Sequence, residues 1–213
     1  MPASAREIQL SQTPEARLVQ IVDAALADTA RRAGDFLACR IGCTQCCHGA
    51  FAINALDAAR LREGMADLRA ANPAFAAEIE RRARAWLAEH GPTFPGNPET
   101  GVLGASAADQ ARFEDFANDA ACPALNPATG RCDVYQWRPM TCRVFGPPVR
   151  SVVEDGAEGG DNEGLGHCEL CFIGATPEQV AACEMPIPHA LEAELLDAIG
   201  SKDETVVAFA LLP

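Results

Sequence analysis

Residues 39–48 read Cys39-Arg-Ile-Gly-Cys43-Thr-Gln-Cys46-Cys47-His48. The stretch holds four thiols in nine residues, with a glycine where the backbone must turn. Disulfides within it are unfavourable, because adjacent cysteines point in different directions and three-residue loops strain the S–S geometry. The spacing Cys-x3-Cys-x2-Cys instead allows three sulfurs to fold over one face of a cation or cluster. The stretch therefore predicts metal ligation by thiolates.

Composition limits the classes of protein to which the chain can belong. It has 213 residues, ten cysteines and a formal net charge of −13. The length suits one domain with a substantial core, and the negative charge disfavours nucleic acid and anionic membrane surfaces as partners. No export signal opens the chain, and no apolar run approaches the about 18–20 residues that cross a membrane. We therefore expect a cytoplasmic protein, whose reduced cysteines serve as metal ligands or redox groups.

Helical periodicity dominates both sides of the thiol stretch. Pro14 opens a long amphipathic pattern, and Asn54 and Pro73 are suited to begin two further helices. Runs with strand character are short, although the apolar C-terminal tail suits a last strand or a segment docked on the core. The sequence predicts a mainly α fold, with a single helical domain over 14–213 and a flexible arm over 1–13. Irregular cysteine-rich loops and a small β-hairpin are expected to surround the metal site.

A second group of cysteines begins at Cys122. Asn126 and Gly130 mark a turn between two short extended arms, so that Cys122 and Cys132 are expected to lie close together across a small hairpin. A proline then constrains the backbone ahead of Cys142. This region therefore predicts a second element that presents ligands to the metal.

The third group is the knuckle Cys168-x2-Cys171, which follows an acidic, glycine-rich loop over 154–166. Thr176 then begins a capping box for a helix, and the last cysteine, Cys183, lies on the apolar stripe of that helix. We interpret Cys183 as a core thiol. The predicted metal ligands are the other nine cysteines: Cys39, Cys43, Cys46, Cys47, Cys122, Cys132, Cys142, Cys168 and Cys171.

Two kinds of metal centre remain open at this stage. The pairs Cys43-x2-Cys46 and Cys168-x2-Cys171 could be two knuckles of a tetrahedral zinc site, which leaves five predicted ligands without a role. An iron–sulfur cluster, favoured as 4Fe-4S, accommodates cysteine-only ligation and suits the thiol tripod. Radical S-adenosylmethionine enzymes share such a tripod, but their barrel of alternating strands and helices disagrees with the helical pattern here. Nine thiols are more than one metal site needs. Either two metals bind, or some of the thiols contact the ligands without binding the metal themselves.

Several fixed motifs resemble one bacterial protein family. They are Cys39-x3-Cys43-x2-Cys46-Cys47, Cys122-Pro-x-Leu, Gly130-x-Cys132-x-Val134-Tyr135 and Arg138-Pro139-x-x-Cys142-Arg143. The resemblance is to the zinc- or iron-chelating cysteine-cluster family, often called YkgJ-like, and it spans residues 39 to about 175. It implies chelation of zinc or iron by these cysteines. Part of that family is similar to flagellin lysine N-methylases, which are thought to need an iron–sulfur cluster and S-adenosylmethionine.

Charged and imidazole side chains beside the cysteines are further candidates. Arg138 and Arg143 flank Cys142, and we predict that they contact the cofactor, where an arginine donates to sulfur or tunes the charge of an anionic cluster. Pairing with carboxylates of this acidic chain is the alternative. His48 and His167 adjoin ligand cysteines, and for both a surface role is the simpler interpretation.

The favoured hypothesis is an iron–sulfur protein that carries electrons or forms part of a modifying enzyme. Its ligands would be Cys43, Cys46, Cys47 and Cys142, and the assisting thiols would be Cys39, Cys122 and Cys132. The alternatives are a zinc-held structural or interaction module and an S-adenosylmethionine-dependent protein methylase. No spacing of acidic, basic or nucleophilic residues identifies a catalytic group, so enzymatic activity stays open.

Overall fold

The computed structural model describes residues 13–150 and 165–213, and this part of the chain is mainly helical. Its helices are α1 (Pro14–Ala33), α2 (Ala55–Ala71), α3 (Pro73–His90), α4 (Ala107–Glu114), α5 (Met140–Val144), α6 (Pro177–Ala182), α7 (His189–Ile199) and α8 (Val207–Ala210). Short 3₁₀ turns occur at Gly34–Phe36, Gln45–Cys47, Gly91–Thr93 and Tyr135–Trp137. None of these helices is long and apolar enough to span a membrane. The predicted mainly α fold is confirmed.

The strands are two residues long and pair only as antiparallel couples among the described residues. They are β1 (Ala52–Ile53), β2 (Gly96–Asn97), β3 (Val102–Leu103), β4 (Leu125–Asn126), β5 (Arg131–Cys132), β6 (Val149–Arg150), β7 (Leu165–Gly166) and β8 (Thr205–Val206). Strand β2 pairs with β3, β4 with β5, and β6 with β7, whereas β1 pairs with β8 from the other end of the chain. The predicted arm over 1–13 and the acidic loop over 154–166 lie almost wholly outside the described residues.

Local capping chemistry explains where several helices begin. The Thr13 hydroxyl accepts a hydrogen bond from the amide of Ala16, and the Asn54 side chain accepts one from the amide of Asp57. Thr176 forms the predicted capping box with Gln179, in which each side chain accepts from the other residue's backbone amide. These contacts satisfy amides that lack a partner inside the helix.

Backbone contacts divide the described residues into two compact units. The first unit contains residues 13–40, 143–150 and 165–195, and the second unit contains residues 41–142 and 196–213. The first unit includes α1, whose Leu18 and Val22 are fully buried.

The core of the second unit lies between α2, α3 and α8. Leu61, Met65 and Ile79 have no solvent exposure, and Leu211 from the C-terminal tail packs into the same cluster. Strand β8 brings the tail there by pairing Val206 with Ala52 of β1. The prediction that the tail forms a strand or docks on the core is confirmed.

Close packing of α2 on Trp137, in the segment before Cys142, makes Gly64 of α2 a sensitive position. A Cβ atom added there would lie 2.3 Å from Cγ and Cδ2 of the Trp137 ring. We expect Gly64→Ala to destabilise the protein by about 1–2 kcal/mol, because overpacking outweighs the gain in helix propensity. Gly91→Ala is the control, since nothing lies within 4 Å of its Cβ position and its φ is −54°. Urea denaturation measures both, and equal midpoints for the two variants would contradict this packing.

Candidate metal centre

The thiol loop of the second unit is a tight 3₁₀ turn over Gln45–Cys47. The Cys47 amide donates to the carbonyl of Thr44 at 2.8 Å, which closes the turn. Gly42, at the start of the loop, has a φ of 91°, in the left-handed region that glycine adopts without steric cost. The predicted turning role of this glycine is confirmed, and the loop presents Cys46 and Cys47 side by side.

Backbone hydrogen bonds join this loop to the segment that carries the next thiol. The Cys122 amide donates to the Cys47 carbonyl at 2.7 Å, and the Gly49 amide donates to the Ala120 carbonyl at 2.9 Å. His48 forms an antiparallel bridge with Ala121 between these two bonds. Cys122 is therefore held beside the loop by a short ladder, although many residues separate them in sequence.

The predicted hairpin is confirmed, with β4 and β5 as its arms. Cys132 pairs with Leu125 across the two strands. The side chain of Asn126 accepts from the amides of the turn, and Gly130 leaves the turn with φ of 65°. The turn-forming residues Asn126 and Gly130 thus determine where the chain reverses and brings Cys132 back toward Cys122.

A buried carboxylate positions the segment that presents Cys142. The backbone amide of Met140 donates to Oδ2 of Asp57 at 2.8 Å, and Arg60 donates to Oδ1 at 2.5 Å. Asp57 is only 2% exposed, so it contributes two charge-assisted hydrogen bonds away from water. Sequence reasoning missed this residue, because an acidic residue in the first turn of a helix usually serves only the helix dipole.

The thiols of the second unit influence one another electrostatically. Burial raises the pKa of Cys122 to about 12, and burial also raises the pKa values of Cys132 and Cys142. The proximity of Cys122, Cys46 and Cys132 raises the pKa of Cys142 further. The Cys47 thiol has a raised pKa because it keeps its proton in a hydrogen bond to Cys46. These five cysteines therefore form one connected group.

Cys46 is the acidic member of this group. The hydrogen bond from the Cys47 thiol is the largest influence and lowers the pKa of Cys46 to about 6, against the opposing effect of burial. Arg138 and His48 lower the same pKa through their positive charge. The group therefore contains one thiolate near neutral pH in the metal-free protein.

Alkylation of the metal-free protein tests this assignment. A lowered pKa means that the reactive thiolate of Cys46 persists as the pH falls, so its alkylation by iodoacetamide should be half-maximal near pH 6, compared with about 8.5 for an ordinary cysteine. Cys47→Ala should move the midpoint toward the ordinary value, whereas Cys47→Ser, which keeps a donor, should move it less. Peptide mass spectrometry measures the rate at each pH. A midpoint unchanged by Cys47→Ala would contradict the hydrogen bond.

The two predicted cofactor-binding arginines lie in different surroundings. Arg138 is 8% exposed, and its guanidinium lies 4.0 Å from the centroid of the Tyr135 ring. Its charge contributes to the lowered pKa of Cys46 and partly offsets the burial that raises the pKa of Cys132. Arg143 is 1% exposed and donates from Nη1 to both carboxylate oxygens of Asp23 at 2.7 Å. Arg143 therefore pairs with a carboxylate, which is the alternative to contact with a cofactor. Contact of either arginine with a cofactor stays a prediction.

The other predicted ligands are divided between the two units. Cys43 is half-buried at the start of the thiol loop, and Cys39 is exposed in the first unit. Cys168 and Cys171 also belong to the first unit, where they are buried together with Cys183. All ten cysteines lie in the described part of the chain and are thiols rather than half-cystines.

The chemistry of the donors fits a thiophilic metal, although the sulfurs are not arranged around a common point. Within residues 13–150 and 165–213, no group of three or more His, Cys, Asp or Glu side chains is placed so that it could hold a metal ion. The second unit nevertheless brings together five thiols, one of which is acidic, beside the guanidinium of Arg138. Thiolates of this kind select zinc, copper(I) or iron–sulfur centres. Ligation would require the side chains to rotate toward a shared centre.

Comparison with known proteins identifies the family. No curated protein and no solved structure gives a significant match to the chain. The model of one family, CxxCxxCC, described as "putative zinc- or iron-chelating domain", matches residues 38–156. The match covers more than half of the chain, and it includes the thiol loop, the hairpin and α5. The chain therefore belongs to the CxxCxxCC family of zinc- or iron-chelating domains.

Proposed function

We propose that the second unit holds an iron–sulfur cluster and that the protein serves in one-electron redox chemistry. The observation that carries this proposal is the proximity of thiols from three separate segments: the loop, the hairpin and α5. Their mutual effects on pKa indicate that they lie within electrostatic reach of one another. Cysteine-only ligation is typical of iron–sulfur clusters.

Four of the five thiols suit direct ligation, and the fifth suits a supporting role. Cys46, Cys122, Cys132 and Cys142 are the proposed ligands. Cys47 is the proposed supporting group, because its thiol already donates a hydrogen bond to the Cys46 sulfur. Hydrogen bonds to ligating sulfur adjust the charge and the reduction potential of a bound cluster. Cys43, at the start of the same loop, stays a further candidate ligand.

The electrostatic surroundings of these thiols also favour a bound cation. Burial raises the pKa values of Cys122 and Cys142, so these thiols lose their protons only if a cation compensates the charge. Iron would supply that compensation and a reversible change of one electron. Arg138 offsets part of the remaining negative charge, because its guanidinium lies near Cys46 and Cys132. Cys46 and Cys47 are only half-buried, which suits electron exchange near the surface of the unit.

Anaerobic purification followed by metal analysis tests the proposal. We expect a brown protein that contains iron and acid-labile sulfide, with a visible band that bleaches on reduction and a paramagnetic resonance signal from the reduced cluster. Cys122→Ala and Cys142→Ala should each lose most of the iron. Cys183→Ala is the matched control, because it removes a buried thiol from the first unit and should keep the iron.

Two results would overturn this assignment. A colourless protein with stoichiometric zinc would favour the zinc-held module, and full iron content in both Cys122→Ala and Cys142→Ala would place the cluster elsewhere. A separate titration with S-adenosylmethionine tests the methylase hypothesis. Saturable binding would add a catalytic role to the cluster.

A further inference from the structure

The first unit contains its own group of cysteines, and three of them lie beyond the family match, which ends at residue 156. Cys168, Cys171 and Cys183 are 6%, 2% and 6% exposed and belong to one small apolar cluster. We propose that these three cysteines, with Cys39 as the fourth ligand, form a second metal site. This site would bind a single thiophilic divalent cation such as Zn²⁺, separately from the proposed iron–sulfur cluster.

The knuckle that carries two of these thiols is a tight turn. The Cys171 amide donates to the Cys168 carbonyl at 2.8 Å, and the Phe172 amide donates to the Phe36 carbonyl at 2.7 Å. Phe172 has φ of 57°, in the left-handed region that bulky residues rarely adopt. Backbone strain of this kind persists where the surroundings impose it, and it is common at ligand sites. The turn therefore holds Cys168 and Cys171 in a fixed relation, as in zinc knuckles.

The third thiol is held by contacts from α1. Cys183 directly follows α6, and Arg32 donates to the carbonyls on both sides of it: Ala182, and Glu184 at 3.0 Å. The guanidinium thereby fixes the backbone that carries the thiol. The same guanidinium pairs with Asp28 at 2.9 Å, so its main contribution here is to hold the backbone of Cys183. The sequence suggests only a core position for Cys183, because Arg32 is far away along the chain.

Cys39 contacts Gly146, the residue whose carbonyl is bonded to the knuckle. A Cβ atom added to Gly146 would lie 2.6 Å from the Cys39 sulfur, so this sulfur packs directly on the glycine. The Gly146 carbonyl accepts a hydrogen bond from the Cys168 amide at 3.2 Å. Cys39 and the backbone of Cys168 therefore both contact Gly146, and the exposure of Cys39 would offer the ion a route to the buried thiols.

The binding reaction balances without an oxidant. Four S–H bonds break, four protons pass to the buffer, and four sulfur–metal bonds form, as in closed structural zinc sites. The sulfurs of the described chain do not surround a common point, so the side chains must rotate as the ion enters. Burial of three reduced cysteines as ordinary apolar groups is the competing interpretation, and it predicts no metal affinity.

Cobalt binding separates the two interpretations. The full chain carrying Cys46→Ala and Cys142→Ala, purified reduced and metal-free, should bind one equivalent of Co²⁺ with the visible bands of tetrahedral thiolate coordination. Adding Cys183→Ala should weaken that binding by at least about tenfold, since one thiolate is lost. Cys39→Ser changes an exposed residue and should keep the Co²⁺ while reducing the sulfur-to-metal charge-transfer intensity. Circular dichroism of each variant checks that the helices remain.

A second measurement uses the wild-type protein and does not depend on these variants. Zinc-edge X-ray absorption of zinc-loaded wild-type protein should show four sulfur neighbours at about 2.3 Å, whether or not iron occupies the second unit. Failure to bind Co²⁺ in the folded Cys46→Ala, Cys142→Ala variant would overturn the proposal. So would binding that is insensitive to both Cys183→Ala and Cys39→Ser. Iron and sulfide analysis of the wild-type protein tests the redox proposal separately.

Discussion

Removal of metal with an anaerobic chelator is expected to open the thiol loop and the hairpin of the second unit while its helical core stays folded. The thiols would lose the bonds that draw the loop and hairpin together, and metal-binding free energy commonly stabilises the fold around a site. Short backbone ladders, such as the bond from the Cys122 amide to the Cys47 carbonyl, and the side-chain contacts of the hairpin would remain there. By contrast, α2 and α3 retain Leu61, Met65 and Ile79 in a dry core.

Hydrogen exchange read by mass spectrometry measures this local opening. Amides in 43–48 and 122–132 should exchange at least about tenfold faster after chelation, which corresponds to about 1.4 kcal/mol of lost protection. Amides in the helices at 55–71 and 73–90 should change little and serve as the internal control. Identical exchange in the loop and hairpin before and after chelation would show that no metal supports them.

Features governed by neighbours in sequence could be predicted well. Asn54 and Thr176 cap helices as expected, because a side chain that can bond to an amide two or three residues ahead needs no tertiary structure. The turn from Asn126 to Gly130 follows from the same kind of local chemistry. These elements place Cys132 without reference to the rest of the fold.

Features that depend on long-range packing could not be predicted from the sequence. Asp57 accepts the Met140 amide although the two residues are far apart in sequence, and nothing in the local pattern distinguishes Asp57 from other acidic residues in first turns. The pairing of Arg143 with Asp23 is similar, since an acidic chain offers many possible partners. The strand pairing of Ala52 with Val206 joins distant segments as well.

The distribution of the cysteines shows the same limit. Cys39 is four residues from Cys43, and proximity in sequence suggested that both serve one tripod. The structure places Cys39 in the first unit and Cys43 in the second. Each thiol therefore belongs to the unit in which its backbone packs. The first unit also contains Cys168, and both Cys39 and Cys168 contact Gly146.

Arg82→Ala is expected to reduce both stability and iron content, although Arg82 is neither a predicted nor a proposed ligand. Arg82 donates from Nη2 to Oδ2 of Asp133 at 2.6 Å and from Nε to the Pro123 carbonyl at 2.9 Å. Its side chain is 12% exposed and that of Asp133 is 8% exposed. Removal of one partner leaves a nearly buried charge with less compensation, so we expect a loss of about 3 kcal/mol. Because Pro123 and Asp133 flank the hairpin, Cys122 and Cys132 should lose their alignment.

Arg81 on the same helix provides the matched control for that experiment. Its guanidinium pairs with Glu78 at 2.7 Å, but the Arg81 side chain is 65% exposed, and exposed ion pairs contribute little to stability. Arg81→Ala should therefore leave the denaturation midpoint and the iron content unchanged. Arg82→Lys should be intermediate, because lysine restores the charge without the planar pair of donors that reaches both Asp133 and Pro123. Equal iron content and equal midpoints for Arg82→Ala and Arg81→Ala would mean that the hairpin needs no anchor on α3 to present its thiols.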